Sequence, residues 1–197
     1  NKSVFLSLEN SYVLISAAGY TCPDGFREIV TQYQEIGCHL DQAYRKFYLY
    51  YDQMEDSETF EPLRELVENI YTNEYLAEQL PKWNAALAAP DSLTLLPLQR
   101  EFYARHLEQT EVRTVVIISD AMRYEVGREL FARMQDDPKC TAKLDVMLGV
   151  LPSYTQLGMA ALLPHRTLEM TDNFQILTDG ILGDDLAARQ KILQGHC

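Results

Sequence analysis

The chain has 197 residues and a formal net charge of −12, with 47% apolar and 23% charged residues. That is the composition of an ordinary globular protein, and it excludes a disordered tail, a collagen-like fibre and a disulfide-stapled miniature. The acidity also argues against a free-standing nucleic-acid binder, because phosphate contacts need a basic surface. The charge is uneven: residues 1–110 hold 8 Lys/Arg against 17 Asp/Glu, and residues 111–197 hold 9 against 12. An acidic block therefore precedes a nearly neutral one, and the expected division is a helical region over 1–110 and a second domain over 111–197.

Residues 3–17 place Val4, Leu8, Tyr12 and Ile15 at steps of four and three, which predicts a helix with that face inward. Gly19, Pro23 and Gly25 mark a turn, and Asp24 can cap the next helix. From Phe26 to about Gln53, Ile29, Tyr33, Ile36, Leu40, Phe47 and Tyr51 form one stripe, widened by Val30, Tyr44 and Tyr48. Gly37 leaves two readings open, one kinked helix or two. Pro62 begins another helix with Leu66 and Ile70 inward. A further one over 72–89 uses Tyr75, Leu76, Leu80, Trp83 and Leu87, with Pro81 as a break point. After a connector around Asp91 and Pro97, a last helix runs to about Gln109 on Leu98, Phe102 and Leu107. The aromatics read as filling between packed helices, with a tyrosine-lined groove as the alternative. Glu55, Asp56, Glu58, Glu61, Glu65 and Glu68 read as a solvated face.

Beyond Glu111 the texture changes. Thr114–Ile118 is a continuous β-branched run, the pattern of a strand buried on both faces, and Ser119-Asp120-Ala121 stops it. Tyr124 to about Met134 reads as a helix with Val126, Leu130, Phe131 and Met134 inward. Leu144, Val146, Leu148 and Val150 alternate as in a second strand. Pro152-Ser153-Tyr154 turns the chain, Thr155 to Leu163 is a small-residue helix, and Phe174–Leu177 is a third strand. Asp179-Gly180 forms a turn, and Asp184-Asp185 caps a helix through Leu193. Strand–helix alternation predicts an α/β domain with a mostly parallel sheet. Three strands are few for such a domain, so the expectation is an incomplete one, and both ends read as cuts in a longer polypeptide.

The four cysteines (Cys22, Cys38, Cys140, Cys197) and four histidines (His39, His106, His165, His196) show no CxxC, HxH or HxxxH spacing. This points to reduced thiols in a cytoplasmic protein rather than to disulfides or a zinc site. No apolar run approaches the ~18 residues that span a bilayer, and no basic n-region marks a signal peptide, so no membrane partner is expected. No Lys/Arg cluster exceeds the Arg45-Lys46 doublet, so nucleic acid would be met only indirectly or through other parts of a longer protein.

Ligands of open α/β sheets bind outside the carboxyl ends of the strands. Two polar residues fall there: Asp120 after the first predicted strand, and Thr155 after the second and at the start of a helix. Each alone is an ordinary capping residue. Together they suggest a chemistry. A carboxylate suits a divalent metal, a helix N-terminus favours a bound phosphate, and a metal beside a hydroxyl turns it into a nucleophile. The combination fits phosphoryl transfer through a phosphothreonine.

Two motifs sharpen this. "VVIISDAMRYEVGREL" (Val115–Leu130) and "LPSYTQLGMAALLP" (Leu151–Pro164) resemble the PglZ domain of bacterial phage-growth-limitation and BREX phage-exclusion systems. "DQAYRKFYLYYD" (Asp41–Asp52) and "LVENIYTNEYLAEQLPKWN" (Leu66–Asn84) are similar to the helical segment that precedes that domain. The resemblance implies an alkaline-phosphatase-like sheet with flanking helices, of which this chain carries the first part. It implies that Asp120 matches the superfamily's first metal-binding aspartate. Thr155 matches the nucleophile, itself a metal ligand, within a P-[ST]-x-T turn like that of the nucleotide-phosphodiesterase branch. The cofactor implied is a divalent metal ion, zinc or similar. Its remaining ligands in the superfamily come from a later segment with an Asp-His pair, which this sequence lacks, so the 197-residue piece is expected to be inactive. Arg123, Tyr124 and Glu125 match the family motif without an assigned role, with helix-start packing and capping as alternatives.

The expected function is therefore part of a metal-dependent phosphatase or phosphodiesterase of phage defence, partnered by other subunits of a defence complex. One alternative is a non-catalytic module whose acidic helices dock such subunits. A phosphoacceptor domain with Asp120 as the acceptor is a third reading; such domains carry an acidic pair after an earlier strand and a lysine after a later one, and residues 111–197 offer no clear set of that kind.

Overall fold

The computed structural model describes residues 2–89, 92–183 and 185–195. Asp91, Asp184, His196 and Cys197, to which the sequence reading gave places, lie outside the described residues. The chain divides into two compact units, Asn1–Ser92 with Met122–Leu144, and Leu93–Ala121 with Asp145–Cys197.

The first unit is helical. It contains α1 (Lys2–Ile15), α2 (Phe26–Gln32), α3 (Cys38–Tyr51), α4 (Glu61–Asn69), α5 (Ala77–Leu87) and, from later in the chain, α7 (Tyr124–Gln135). A π-helical turn over Tyr33–Gly37 joins α2 to α3, and another over Ile70–Leu76 joins α4 to α5. Both open Gly37 readings thus meet in one continuous helical path with a wide turn. Pro81 sits inside α5 without ending it. The core holds Leu14, Leu40, Ala43, Phe47, Tyr51, Val67, Tyr71 and Tyr75.

Several inward faces differ from expectation. In α1 the buried residues are Ser7, Ser11 and Leu14, while Tyr12 is 72% exposed. Small side chains let α1 lie close against α3; of the predicted stripe, Val4 and Ile15 are half-buried while Leu8 and Tyr12 face outward. In the α2–α3 path the π turn inserts residues into the helical period, so the stripe changes phase and Ile36 faces out while Cys38 is buried. Leu66 and Leu80 are exposed as well; in α4 the inward face runs through Val67 and on to Ile70 and Tyr71 instead.

The tyrosines fill the core, as expected. Tyr44 and Tyr71 stack at 3.7 Å, and Tyr20 meets Tyr75 edge-on at 5.0 Å. Their hydroxyls hold carboxylates: Tyr33 and Tyr71 donate to Asp41 at 2.6 and 2.9 Å, and Tyr48 and Tyr44 donate to Glu68 at 2.6 and 2.8 Å. Glu68 is therefore not part of a merely solvated face. The hydroxyls of Tyr48 and Tyr44 hold its carboxyl below the usual carboxylate range.

The second unit contains α6 (Phe102–His106), α8 (Thr155–Ala161), α9 (Leu186–Gln194) and three strands, β1 (Leu168–Met170), β2 (Ile176–Thr178) and β3 (Ile181–Leu182). The strands form an antiparallel meander in the order β1-β2-β3. Asp179-Gly180 makes its second turn, with φ of +49° and +77°, as a two-residue hairpin of the primed type requires. Asp185 caps α9 by accepting from the Ala188 amide at 2.7 Å.

The α/β character is present in this architecture, but the mostly parallel sheet is not shown by it. Among the described residues the ladders are antiparallel, and parallel pairing is limited to one isolated bridge, Leu98 to Leu148. Thr114–Ile118 forms no ladder, and Val115 and Ile117 are 74% and 88% exposed. A β-branched run of that kind becomes a strand only when neighbours pair with it on its edges and layers cover its faces, and the described residues provide neither. Residues 144–150 keep the expected alternation, with Leu144, Val146, Leu148 and Val150 half-buried and the residues between them exposed. No helix among the described residues is long and apolar enough to cross a membrane.

Candidate functional site

Asp120 and Thr155, 35 residues apart in sequence, meet in the second unit. The Thr155 hydroxyl lies 3.4 and 3.3 Å from the two oxygens of Asp120, so it can donate to either, and both residues are exposed. Thr155 is the first residue of α8, and Tyr154 before it is extended, with φ −122° and ψ 155°. The proline turn is anchored by the Tyr154 amide on Pro152 O at 3.0 Å and by the Tyr154 hydroxyl on Phe174 O at 3.0 Å. Ala121, next to Asp120, has φ +55°. This left-handed conformation is uncommon without glycine, and residues that keep one cluster at functional sites.

The pair's chemistry suits a hard divalent cation, since both donors are oxygen. Two oxygens sharing a tetrahedral cation at the usual bond lengths stand about 3.3–3.6 Å apart, and the observed separations fall in that range. Two residues are fewer donors than a divalent cation takes. Among the described residues, no group of three or more His, Cys, Asp or Glu is placed to hold a metal ion. Cys22, Cys38 and Cys140 are free thiols, and burial pushes the Cys22 and Cys38 thiols up from their ordinary value.

Arg123, Tyr124 and Glu125 take places in the helical unit. Arg123 precedes α7 in an extended conformation and makes no side-chain cap. Tyr124 packs against Tyr33 at 6.0 Å and accepts from Gln34 at 3.1 Å. Glu125 is 1% exposed and accepts both Nε and an Nη of Arg45 on α3, at 2.9 and 2.8 Å. Glu129, one turn on, takes Arg45 at 3.1 Å, Lys46 at 3.5 Å and Arg133 at 2.9 Å. Arg128 donates to Gln34 O. Helix packing is thus the alternative the geometry favours for this triplet, over capping. The spacing missed it because α7 buries its polar face on α3, leaving Leu130 and Met134 47% and 39% exposed.

The network makes folding sensitive to acid. Burial raises the Glu129 carboxyl, but Arg45, Lys46 and Arg133 outweigh it and hold the group below its ordinary value; Glu68 is depressed as well. A carboxylate depressed in the folded state stabilises it above the unfolded pKa, about 4.3 for Glu. That stability is lost as pH falls through the folded value. The urea midpoint of the chain should accordingly fall between about pH 4.5 and 3. Titration of the midpoint checks this, and a midpoint that holds or rises on acidification contradicts it.

The family model of the BREX system PglZ alkaline phosphatase-like domain matches residues 98–197. The chain belongs to the PglZ family. Among PglZ relatives, it is 38% identical over 176 residues to the "Alkaline phosphatase-like protein PglZ" of Bacillus cereus (strain H3081.97), covering 86% of this chain and 21% of that protein. It is 36% identical over 171 residues to the "Alkaline phosphatase-like protein BrxZ" of Escherichia coli O9:H4 (strain HS), covering 80% of this chain and 20% of that protein. The chain thus spans about a fifth of the length of these PglZ relatives. No solved structure matches it. Both Asp120 and Thr155 lie within the residues that the PglZ domain model matches.

Proposed function

We propose that this chain is part of a metal-dependent hydrolase of phosphate mono- or diesters acting in bacterial phage defence, with Thr155 as its nucleophile. The observation that carries this reading is the approach of Thr155 Oγ1 to the Asp120 carboxylate at 3.3–3.4 Å, within a chain of the PglZ family.

Thr155 Oγ1 attacks phosphorus as the ester P–O bond breaks, and the leaving oxygen takes up a proton. Water then hydrolyses the phosphothreonine and restores the hydroxyl. Asp120 accepts the Thr155 hydroxyl hydrogen and so aims an oxygen lone pair outward. A divalent cation, zinc or similar, held by Asp120 and Thr155 would lower the hydroxyl pKa and offset phosphate charge.

The pair is too small a ligand set to serve alone, so the 197-residue chain is inactive and later parts of a longer protein complete both the ligands and a mostly parallel sheet. The whole acts in the cytoplasm with other subunits of the defence complex. Nucleic acid is met through those parts.

The test is hydrolysis of p-nitrophenyl phosphate and bis-p-nitrophenyl phosphate by the full-length protein, with and without Zn²⁺ or Mn²⁺. Turnover should need the metal and drop by about 10³-fold or more in Thr155→Ala, as when a nucleophile is removed. Wild-type turnover by Thr155→Ala refutes the assignment.

A further inference from the structure

We propose that Gln99 is a positioning residue for Thr155, an inference that rests on the reading of Thr155 as nucleophile. One side-chain amide spans the whole turn that presents the threonine. Gln99 Oε1 accepts the Val150 amide at 3.0 Å, just before the turn. Gln99 Nε2 donates to Gly158 O at 3.1 Å, one helical turn beyond Thr155. All of these residues lie in the same compact unit.

Both anchored groups need a partner. Gly158 is among the last four residues of α8, whose carbonyls find none within the helix; the Leu162 amide turns to Met159 O and Ala160 O instead. Val150 ends the alternating stretch, and its amide is paired by Gln99 rather than by a neighbouring strand. A Cβ added at Gly149 would sit 3.6 Å from Gln99 Oε1, and one at Gly158 would sit 3.5 Å from Gln99 Nε2. The amide therefore lies directly over the main chain at both anchors.

The root of the side chain is fixed too. The Gln99 amide donates to Leu148 O at 2.9 Å and the Leu148 amide donates to Pro97 O at 2.8 Å, around the Leu98–Leu148 bridge. Glu101 Oε2 accepts the Leu98 amide at 3.3 Å. Between the anchors Leu151 is 68% exposed, Pro152 and Ser153 are exposed as well, and the turn's own hydrogen bonds run through Tyr154. Only a side chain of this length with a donor and an acceptor can make both bonds. Glutamate lacks the donor, asparagine is one carbon short, and methionine keeps the shape without either bond.

A nucleophile displaced by about 1 Å loses up to about 10²-fold in rate without losing substrate binding. Gln99→Met in the full-length protein should lower kcat by about 10- to 100-fold on p-nitrophenyl phosphate with KM within twofold. In the 197-residue chain the same variant should speed amide hydrogen exchange over residues 150–158 at least about tenfold, while the β1–β3 hairpin stays protected. If the hairpin loses protection, the variant has unfolded the unit. Gln99→Glu, which keeps the acceptor for Val150, then takes its place with the same expectations. Unchanged kcat in a Gln99 variant, beside a Thr155→Ala protein that is dead, overturns the role of Gln99 and leaves the nucleophile standing. Full activity of Thr155→Ala overturns the nucleophile and with it the catalytic sense of the positioning. Unchanged exchange over 150–158 overturns the tie itself, whatever the activity.

Discussion

Replacing Arg45 by methionine should lower the unfolding free energy of the helical unit by about 2–4 kcal/mol. The change leaves the Glu125 carboxylate, with a side chain 0% exposed, without its bidentate partner. Removing one member of a buried pair costs about 3–5 kcal/mol. The figure here is set lower because the Arg45 side chain is 35% exposed, and water screens part of its charge. The expectation separates two explanations of the pair. If it stabilised mainly by attraction, Arg45→Met and Glu125→Met would be equally harmful, and the double variant would be about as harmful as either alone. If the penalty is an abandoned buried charge, Arg45→Met is the worse single change. The double variant, with two apolar side chains against each other, then recovers most of the loss. Trp83, the single tryptophan, stacks on Phe26 at 5.3 Å within this unit, so its fluorescence during urea unfolding follows the unit directly. An Arg45→Met loss under about 0.5 kcal/mol, the scale of an ordinary surface change, would contradict the argument.

The Arg45–Glu125 pair also marks where the sequence was legible. Periodicity located most helices because apolar residues recur at helical steps, and α1, α3, α4, α5, α7 and α9 all lie where a helix was expected. It failed at faces. In α1 two of the three buried residues are Ser7 and Ser11, which no hydrophobicity rule selects. In α7 the buried residue is Glu125, because Arg45, 80 residues earlier, satisfies both of its oxygens. A pairing across that distance leaves no local signal beyond the charges themselves.

The sheet shows the opposite error. Val115–Ile118 carries a strong strand signal, but a ladder needs partners, and propensity cannot report whether they are present. Asp179-Gly180 was readable because its turn needs two positive φ values and names the residues that tolerate them. In the candidate site, Asp120 and Thr155 were singled out by motif resemblance and by their positions after predicted strands, of which residues 114–118 form no ladder. Gln99 was not, because a lone glutamine at the start of a predicted helix has no pattern, and the two main-chain groups it bridges, at Val150 and Gly158, are distant in sequence.

Asp120→Asn in the full-length protein is expected to lower metal-dependent hydrolysis by about 10³-fold, close to the loss in Thr155→Ala. On the proposed reading the two residues serve one event: the hydroxyl attacks, and the carboxylate both orients it and offers oxygen to the cation that would activate it. Asparagine keeps the size and one acceptor oxygen but removes the charge, so the hydroxyl can still be oriented while the cation is held weakly. The Asn variant should therefore recover part of its rate at raised Zn²⁺ or Mn²⁺, whereas Thr155→Ala should recover none. Residues acting as a unit are non-additive, so the double variant should be no slower than the worse single one. Losses that multiply in the double variant would mean that Asp120 and Thr155 act on separate steps. An Asp120→Asn protein with wild-type rate and wild-type metal dependence would remove Asp120 from the site altogether, leaving its 3.3–3.4 Å approach to Thr155 as an ordinary contact at the start of a helix.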